Sequence, residues 1–482
     1  MKRVVVLIPG IMGTELYLDG KLIWPGSVRE LLAPYGKMDQ LLDERTCTGN
    51  ILRSVAVKSL YGALIDDLNR WMFSEKSTLP NLYLFPYDWR RSNCDTAFGL
   101  ASLLDKAFDD HSGQLQVSLV AHSMGGLIAR YYLEGGRFNG NRGYSAVRHL
   151  FTLATPHRGA PMALAAALGQ ESQEFLNKEQ VARLANDDRY PSVYQLLPPE
   201  GEPFVWNDGP TAEYQPRNVY DPPLAARLKL TANNLDKAKE LHRGLDLNRR
   251  PPAVRYFFFV GTQHKTASSF YLQGQSPDEA RSVEVDQSGD GTVPIWSGAV
   301  TGVQGLAVGG SHAVIYKNRR LRTTLAGLLG VPARLGAAIP KVEVSIRDQV
   351  VESGAELHLT LEFPEKIRNI AAILSFQELT DSGKPKADSR PGSGQVFRYS
   401  GVAVDSIGVV LTVPDQAGFY RVIVRDSKSK KDLGSDELIV QATSQSAPSK
   451  AKKAAKASMG VLKKASKKTA PPRRAKKRSS GR

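Results

Sequence analysis

Cysteine is nearly absent: Cys47 and Cys94 are the only two in 482 residues. That is too few for a disulfide framework and suits a reducing compartment, so the cytoplasm is the expected location. Long apolar runs are missing as well. None approaches the roughly 18 residues of a membrane-spanning helix, and membrane contact is expected to be peripheral at most. The opening MKRVVVLIPG carries the charge of a secretory signal, but its apolar run stops at Pro9-Gly10. An h-region runs to roughly 7–15 residues and ends at a small-residue cleavage site, so Val4–Ile8 reads as a buried strand instead. There is no cysteine–histidine cluster at zinc spacing and no G-x-x-x-x-G-K-S/T loop, so the expected chemistry needs neither metal nor cofactor. Acidic residues are absent from 443–482, which holds 14 Lys/Arg and accounts for most of the +16 net charge. The rest of the chain is nearly neutral.

What is present divides into three textures. Over residues 1–335, short β-branched or aromatic runs (VVVLI, NLYLF, QVSLVA, HLFTLA, RYFFFVG) alternate with helical stretches, the pattern of a mostly parallel sheet covered by helices. Such α/β sheets place their sites at the carboxyl ends of the strands. Residues 160–250 break the rhythm and read as an inserted cap. Residues 340–442 alternate in segments such as VEVSI, ELHLTLEF, GVVLTV and FYRVIV between Gly/Ser/Asp turns, which predicts an immunoglobulin-like β-sandwich without its disulfide. Residues 443–482, rich in Lys, Ala, Ser and Pro, have too few large apolar side chains to offset chain entropy and are expected to be disordered.

The sequence QVSLVAHSMGG puts Ser123 between an apolar strand and the periodic LIARYYLEGG, the strand–turn–helix context of a nucleophile elbow. The turn is strained and needs small neighbours, supplied by Ala121, Gly125 and Gly126. Ala121 departs modestly from the G-x-S-x-G form. A serine hydroxyl is a poor nucleophile unless a base takes its proton and a carboxylate orients that base. Downstream, VDQSGDGTVP offers Asp290 on a Gly-flanked turn, with Asp286 as the fallback, and GGSHAVIY offers His312. The order Ser, acid, His is that of an α/β-hydrolase. His122 and His157 lie near these motifs, and their expected roles are packing and hydrogen bonding. A tetrahedral intermediate needs two preorganised N–H donors. Met124 is expected to supply one. IPGIMGTEL, after the first strand, supplies the other from Ile11, with Met12 as the alternative.

These motifs together resemble the lecithin:cholesterol acyltransferase family of α/β-hydrolases. LIPGIMGTEL resembles its oxyanion loop, FPYDWR its PYDWR segment, AHSMGG its elbow, GDGTVP its acid loop and GSHAVIY its histidine loop, in family order. The resemblance implies a Ser123–Asp290–His312 triad, an Ile11/Met124 oxyanion hole, and Trp24 at a position where family members carry a tryptophan near the lid, hence a substrate-contacting candidate. Tyr87, Asp88, Trp89 and Arg90 are expected to brace a loop. The lid disulfide of secreted members has only Cys47 available here, so the lid must be held in another way or move. TLATPHRGAP is closer to bacterial lipases and the inositol-deacylase branch.

Acyl transfer or hydrolysis of a lipid ester through Ser123 is the expected function. The alternatives are a small-ester carboxylesterase and a non-catalytic binding protein attached by its basic tail. That tail would attract an anionic membrane or nucleic acid, with affinity falling as salt rises.

Overall fold

The first strand shows how the core is built. In Lys2–Ile8, Val4, Val6 and Ile8 enter one hydrophobic cluster while Val5 and Leu7 enter another, so both faces of the strand are covered. A strand points successive side chains to opposite faces, and a run without alternation therefore belongs in the middle of a sheet. The computed structural model describes residues 1–207, 215–273, 279–332, 342–387, 389 and 394–443. In it, six parallel strands lie in the order Gln304–Gly309, Arg255–Thr262, Val147–Leu153, Leu115–His122, Lys2–Ile8, Leu82–Leu84.

Helix Asn93–Asp110 buries Ala97, Leu100, Ala101, Leu104 and Ala107 on one side of this sheet. Gly62–Arg70 and Arg319–Leu328 bury Leu64, Ile65, Leu68, Leu321 and Leu325 on the other. The apolar spacings are those of helical faces. Helix Met124–Glu134 is buried along its whole length. Its two charged residues, Arg130 and Glu134, are paired by two hydrogen bonds of 2.9 and 2.8 Å.

Residues 160–250 contain helices Met162–Ala167, Lys178–Ala185, Pro222–Arg227 and Ala232–Gly244. A second sheet, in the order Pro216–Arg217, Val205–Asn207, His264–Leu272, Ala280–Gly289, is an addition to the expected layout. Its two long strands form a hairpin immediately after Arg255–Thr262, and the second of them ends next to Asp290.

From Glu343 to Gln441 the strands belong to one hydrogen-bonded sheet. Its longest strand, Glu356–Leu379, pairs through residues 359–362 with Glu343–Ile346 and through 372–379 with Gly418–Asp426. The register against Gln395–Thr412 breaks between Glu362 and Ile367, around Pro364. A proline cannot donate to the ladder, which confines it to such breaks. Leu359, Leu361, Val422, Val424 and Leu438 belong to one hydrophobic cluster of this region. The expected boundary near 335–340 and residues 444–482 of the basic tail lie outside the described residues.

Replacing Glu134 with Ala strands the Arg130 guanidinium in a buried helix. Loss of one partner of a buried pair costs about 3–5 kcal/mol. Urea denaturation should show that loss, and a variant within 1 kcal/mol of wild type, roughly the worth of an exposed pair, would contradict the role given to this pair.

Candidate active site

Ser123 stands at the carboxyl end of strand Leu115–His122 with φ 51° and ψ −126°, a conformation that costs an L-residue of order 1–3 kcal/mol. Its neighbours must leave room. A Cβ on Gly125 would lie 2.4 Å from the Pro9 carbonyl oxygen, one on Gly126 would meet the Thr155 side chain, and one on Gly10 would lie 2.8 Å from Ser123 Cβ. Ala121 sits within the strand, paired with Ile8 and Thr152, where a methyl is accommodated.

Across the strand ends, His312 Nε2 is 2.8 Å from Ser123 Oγ, and His312 Nδ1 is 2.9 Å from Asp290 Oδ2. Asp290 is buried. Its Oδ1 accepts from the amides of Thr292 and Val293 at 3.0 and 2.7 Å, and its own carbonyl accepts from His312 N–H at 2.9 Å. Burial pushes the carboxyl up, but the charge of His312, the hydrogen bond to its ring and the two amides outweigh this and leave the pKa below the ordinary value. Asp290 therefore stays ionised and fixes the His312 tautomer with Nδ1–H towards it. Gly261, at the end of the neighbouring strand, allows the approach, since a Cβ there would lie 2.4 Å from Asp290 Cβ. Asp286, the fallback, is exposed within Ala280–Gly289 and does not reach the site.

Neither Ile11 nor Met124 N–H is used in a hydrogen bond among the described residues, and the same holds for Met12. Ile11 and Met12 line a cavity of about 210 Å³ together with Ser123, His312 and Asp290. Trp24 also lines it. Its ring is buried, donates from Nε1 to Met12 C=O at 2.9 Å and packs edge-on against Tyr35 and Trp89. Trp24 thus also holds the loop that carries the candidate oxyanion donors.

Tyr61 carried no sequence signal. Its hydroxyl accepts from Gly10 N–H at 2.7 Å and donates to His122 Nδ1 at 2.6 Å, while His122 Nε2–H donates to His312 C=O at 2.9 Å. Burial, and then the charge of His312, hold His122 down to a pKa of about 3. It is a neutral connector with a defined tautomer. His157 stacks on Phe258 with ring centroids 3.7 Å apart and bonds Thr152 Oγ1 at 3.0 Å. Burial, reinforced by Arg130, pushes its pKa well down.

The PYDWR segment braces the same loop. Tyr87 O–H donates to Pro9 C=O at 2.8 Å, Trp89 Nε1–H donates to Thr14 C=O at 3.1 Å, and Arg90 grips Asp88 through 2.8 and 2.7 Å bonds while reaching the Leu41 carbonyl. The segment expected to form the lid is tied down by polar contacts in place of a disulfide. Tyr190 O–H donates to Leu42 C=O at 3.1 Å, Gln180 Nε2 to Tyr35 C=O at 2.6 Å, and Arg183 pairs with Asp39 at 2.6 Å. Cys47 and Cys94 are free thiols. No group of three or more His, Cys, Asp or Glu among the described residues is arranged to hold a metal, and no described helix is long and apolar enough to cross a membrane.

The parallel sheet, the strained serine turn, and the Ser–His–Asp chain at the strand ends define a serine α/β-hydrolase. Residues 54–221 match the family model described as lecithin:cholesterol acyltransferase. A phospholipase A(1), LCAT3 of Arabidopsis thaliana, is 25% identical over 305 residues, 52% of this chain and 66% of that protein. These two matches make the chain similar to members of the lecithin:cholesterol acyltransferase family. The matched segment contains Ser123, and Asp290 and His312 lie beyond it. Among solved structures, the Tle4-Tli4 complex contains a chain matched at 16% identity with a TM-score of 0.50, covering 70% of this chain and 99% of that one, a likeness of fold. The mature lipase BlEst2 of Bacillus licheniformis matches at 13% identity with a TM-score of 0.32 over 70% of this chain and 93% of its own.

Asp290→Asn should lower turnover on the order of 10⁴-fold by presenting the wrong donor to His312. Its depressed carboxyl also contributes stability that is present above the unfolded value of about 4 and lost as pH falls through the folded value. The stability gap between wild type and Asp290→Asn should therefore close in acid, and a gap independent of pH would contradict the ionised assignment. Tyr61→Phe leaves Gly10 N–H and His122 Nδ1 without their partner, a loss of about 1–3 kcal/mol. It should lower kcat more than it raises KM, and unchanged kinetics would show that the connector is unimportant.

Proposed function

We propose that the protein is a lipid-ester acyl hydrolase or O-acyltransferase working through an acyl-enzyme on Ser123. The observation that carries this reading is the unbroken chain from Asp290 Oδ2 through His312 to Ser123 Oγ, opening on a cavity with an apolar side formed by Trp24, Leu52, Val55, Met162 and Phe175. His312 Nε2 takes the Ser123 proton as Oγ attacks the ester carbonyl, and the oxyanion is received by N–H groups, with Met124 and Ile11 as the proposed pair. His312 then returns the proton to the departing alkoxide, the C–O bond breaks, and an acyl-Ser123 ester remains. Water or an alcohol, deprotonated by the same His312, takes the acyl group and restores the serine. Similarity to a protein named as a phospholipase A(1) supports a lipid substrate.

A second reading, a carboxylesterase for small esters, is favoured by the cavity volume of about 210 Å³, below the roughly 300–1,000 Å³ of drug-sized ligand sites. On the lipid reading, one acyl chain and the ester enter and the remainder stays outside. We further propose a cytoplasmic location, which the two free thiols support, and attachment of the basic segment 443–482 to an anionic membrane in preference to nucleic acid.

The test is full-length protein with acyl-labelled phospholipid vesicles, with and without diacylglycerol or a long-chain alcohol, and Ser123→Ala as the blank. Serine-dependent transfer into a new ester establishes the acyltransferase, and free fatty acid alone establishes the hydrolase. Turnover confined to short soluble esters selects the carboxylesterase. If the wild-type serine reacts with no fluorophosphonate, the enzyme reading falls.

A further inference from the structure

One wall of the Ser123 cavity comes from the C-terminal β region. Between strands Glu343–Ile346 and Val350–Glu352 the chain turns through Arg347, Asp348 and Gln349, and these three with Val350 line the cavity that Ser123 and His312 also line. The turn is anchored. Gln349 C=O accepts from Ile439 N–H at 2.8 Å, Gln349 Nε2 donates to Asp436 at 3.1 Å, and Arg347 N–H donates to His358 C=O at 3.0 Å. The Arg347 stem lies against Gly291, the residue after Asp290, where an added Cβ would be 3.3 Å from Arg347 Cγ.

The charges on this lining are unevenly matched. Lys58 is held by Glu174 at 2.7 Å, and the Arg347 guanidinium lies between Glu284 at 3.2 Å and Asp348 at 3.8 Å. Glu171, from the 160–250 region, and Asp348, on the turn, also face the cavity. Burial raises the Glu171 carboxyl, Lys178 and then Arg347 oppose this, and Glu284 and Asp348 add to the rise. Besides Asp290, the cavity lining thus holds three carboxyl side chains, Glu171, Glu174 and Asp348, against two cations, Lys58 and Arg347.

We infer that the turn Arg347–Val350 is a specificity-determining wall of the Ser123 site, at which Asp348 together with Glu171 selects esters whose neighbouring group is neutral or cationic over esters bearing a carboxylate there. This rests on the proposed reading of Ser123 as an acyl-accepting nucleophile and deepens it. A like charge a few ångströms away through water changes a rate roughly fivefold, and added salt should erase that effect.

The test uses full-length protein and three fluorophosphonates sharing one alkyl chain, their second substituent ending in a methoxyl, a trimethylammonium or a carboxylate group. The readout is the rate at which each modifies Ser123. Wild type should react more slowly with the carboxylate probe than with the other two. Asp348→Asn and Glu171→Gln should each raise the anionic-to-neutral rate ratio roughly fivefold, and the gain should fade near 1 M salt, where the Debye length is about 3 Å. Asp348 has a side chain 66% exposed, so its amide is tolerated by the fold. Glu356→Gln, 75% exposed in the same sheet and away from the cavity, is the control. Equal wild-type rates for the three probes, an unmoved ratio in Asp348→Asn and Glu171→Gln, or the same shift in the control would overturn the inference while leaving the nucleophile standing. Absence of labelling by every probe would instead bring down the reading of Ser123 on which it rests.

Discussion

The backbone of Ser123 is the constraint around which the site is arranged. At φ 51° and ψ −126° the serine sits where an L-residue is strained, and it is kept there by a sheet strand ending on one side and a helix beginning on the other. The strain is tolerable because the surroundings carry so few side-chain atoms. Gly10, Gly125 and Gly126 each bring backbone or a neighbouring side chain to within a distance that a Cβ would violate. The same closeness brings the loop after the first strand against the serine, and a loop so placed can present amides to a developing oxyanion without reorganising.

Placing the serine is only half of the geometry, because His312 arrives from a different strand end nearly two hundred residues later. The connection is polar and buried. Gly10, Tyr61, His122 and the His312 carbonyl form one chain of hydrogen bonds linking the first-strand loop, the elbow and the histidine loop. Such a chain is worth most when every member is satisfied and uncharged, since an unpaired polar group in a low dielectric is costly. Burial keeps His122 neutral, so one ring nitrogen accepts while the other donates.

The parallel sheet was legible because each of its longer strands is a short apolar run ending at a small or polar residue, and the serine elbow because a strand, H-S-M-G-G and a periodic helix stand in immediate succession. The acid and base were legible from chain order and flanking glycines, which leave room for turns that reach the sheet edge. Tyr61 was not, since an isolated tyrosine before a helix looks like any core aromatic, and its partners are 51 and 61 residues away. The hairpin 264–289 escaped because HKTASSFYL and ARSVEVDQSG mix polar and apolar residues without a clean period. The cavity wall at 347–350 escaped for a stronger reason. Arg347 and Asp348 sit in an ordinary turn between two strands, and only the packing of one region on the other gives them a place beside Ser123.

That packing is made by polar contacts at the loops that matter most. Ser311, immediately before His312, donates its amide to Ser345 Oγ at 2.8 Å, Lys317 pairs with Asp436 at 3.3 Å, and Asn318 donates to Glu362 at 2.9 Å. All three reach from the histidine loop, or the helix start that follows it, to strands of the C-terminal sheet. A free hydrolase body would leave the Ser311 amide without this acceptor and the loop carrying His312 open on one side. The β region is therefore part of the device that holds the base at 2.8 Å from the nucleophile. A change in the β sheet that shifts Ser345 or Asp436 acts on the histidine without touching the hydrolase core, a coupling through contiguous hydrogen bonds that needs no long-range pathway.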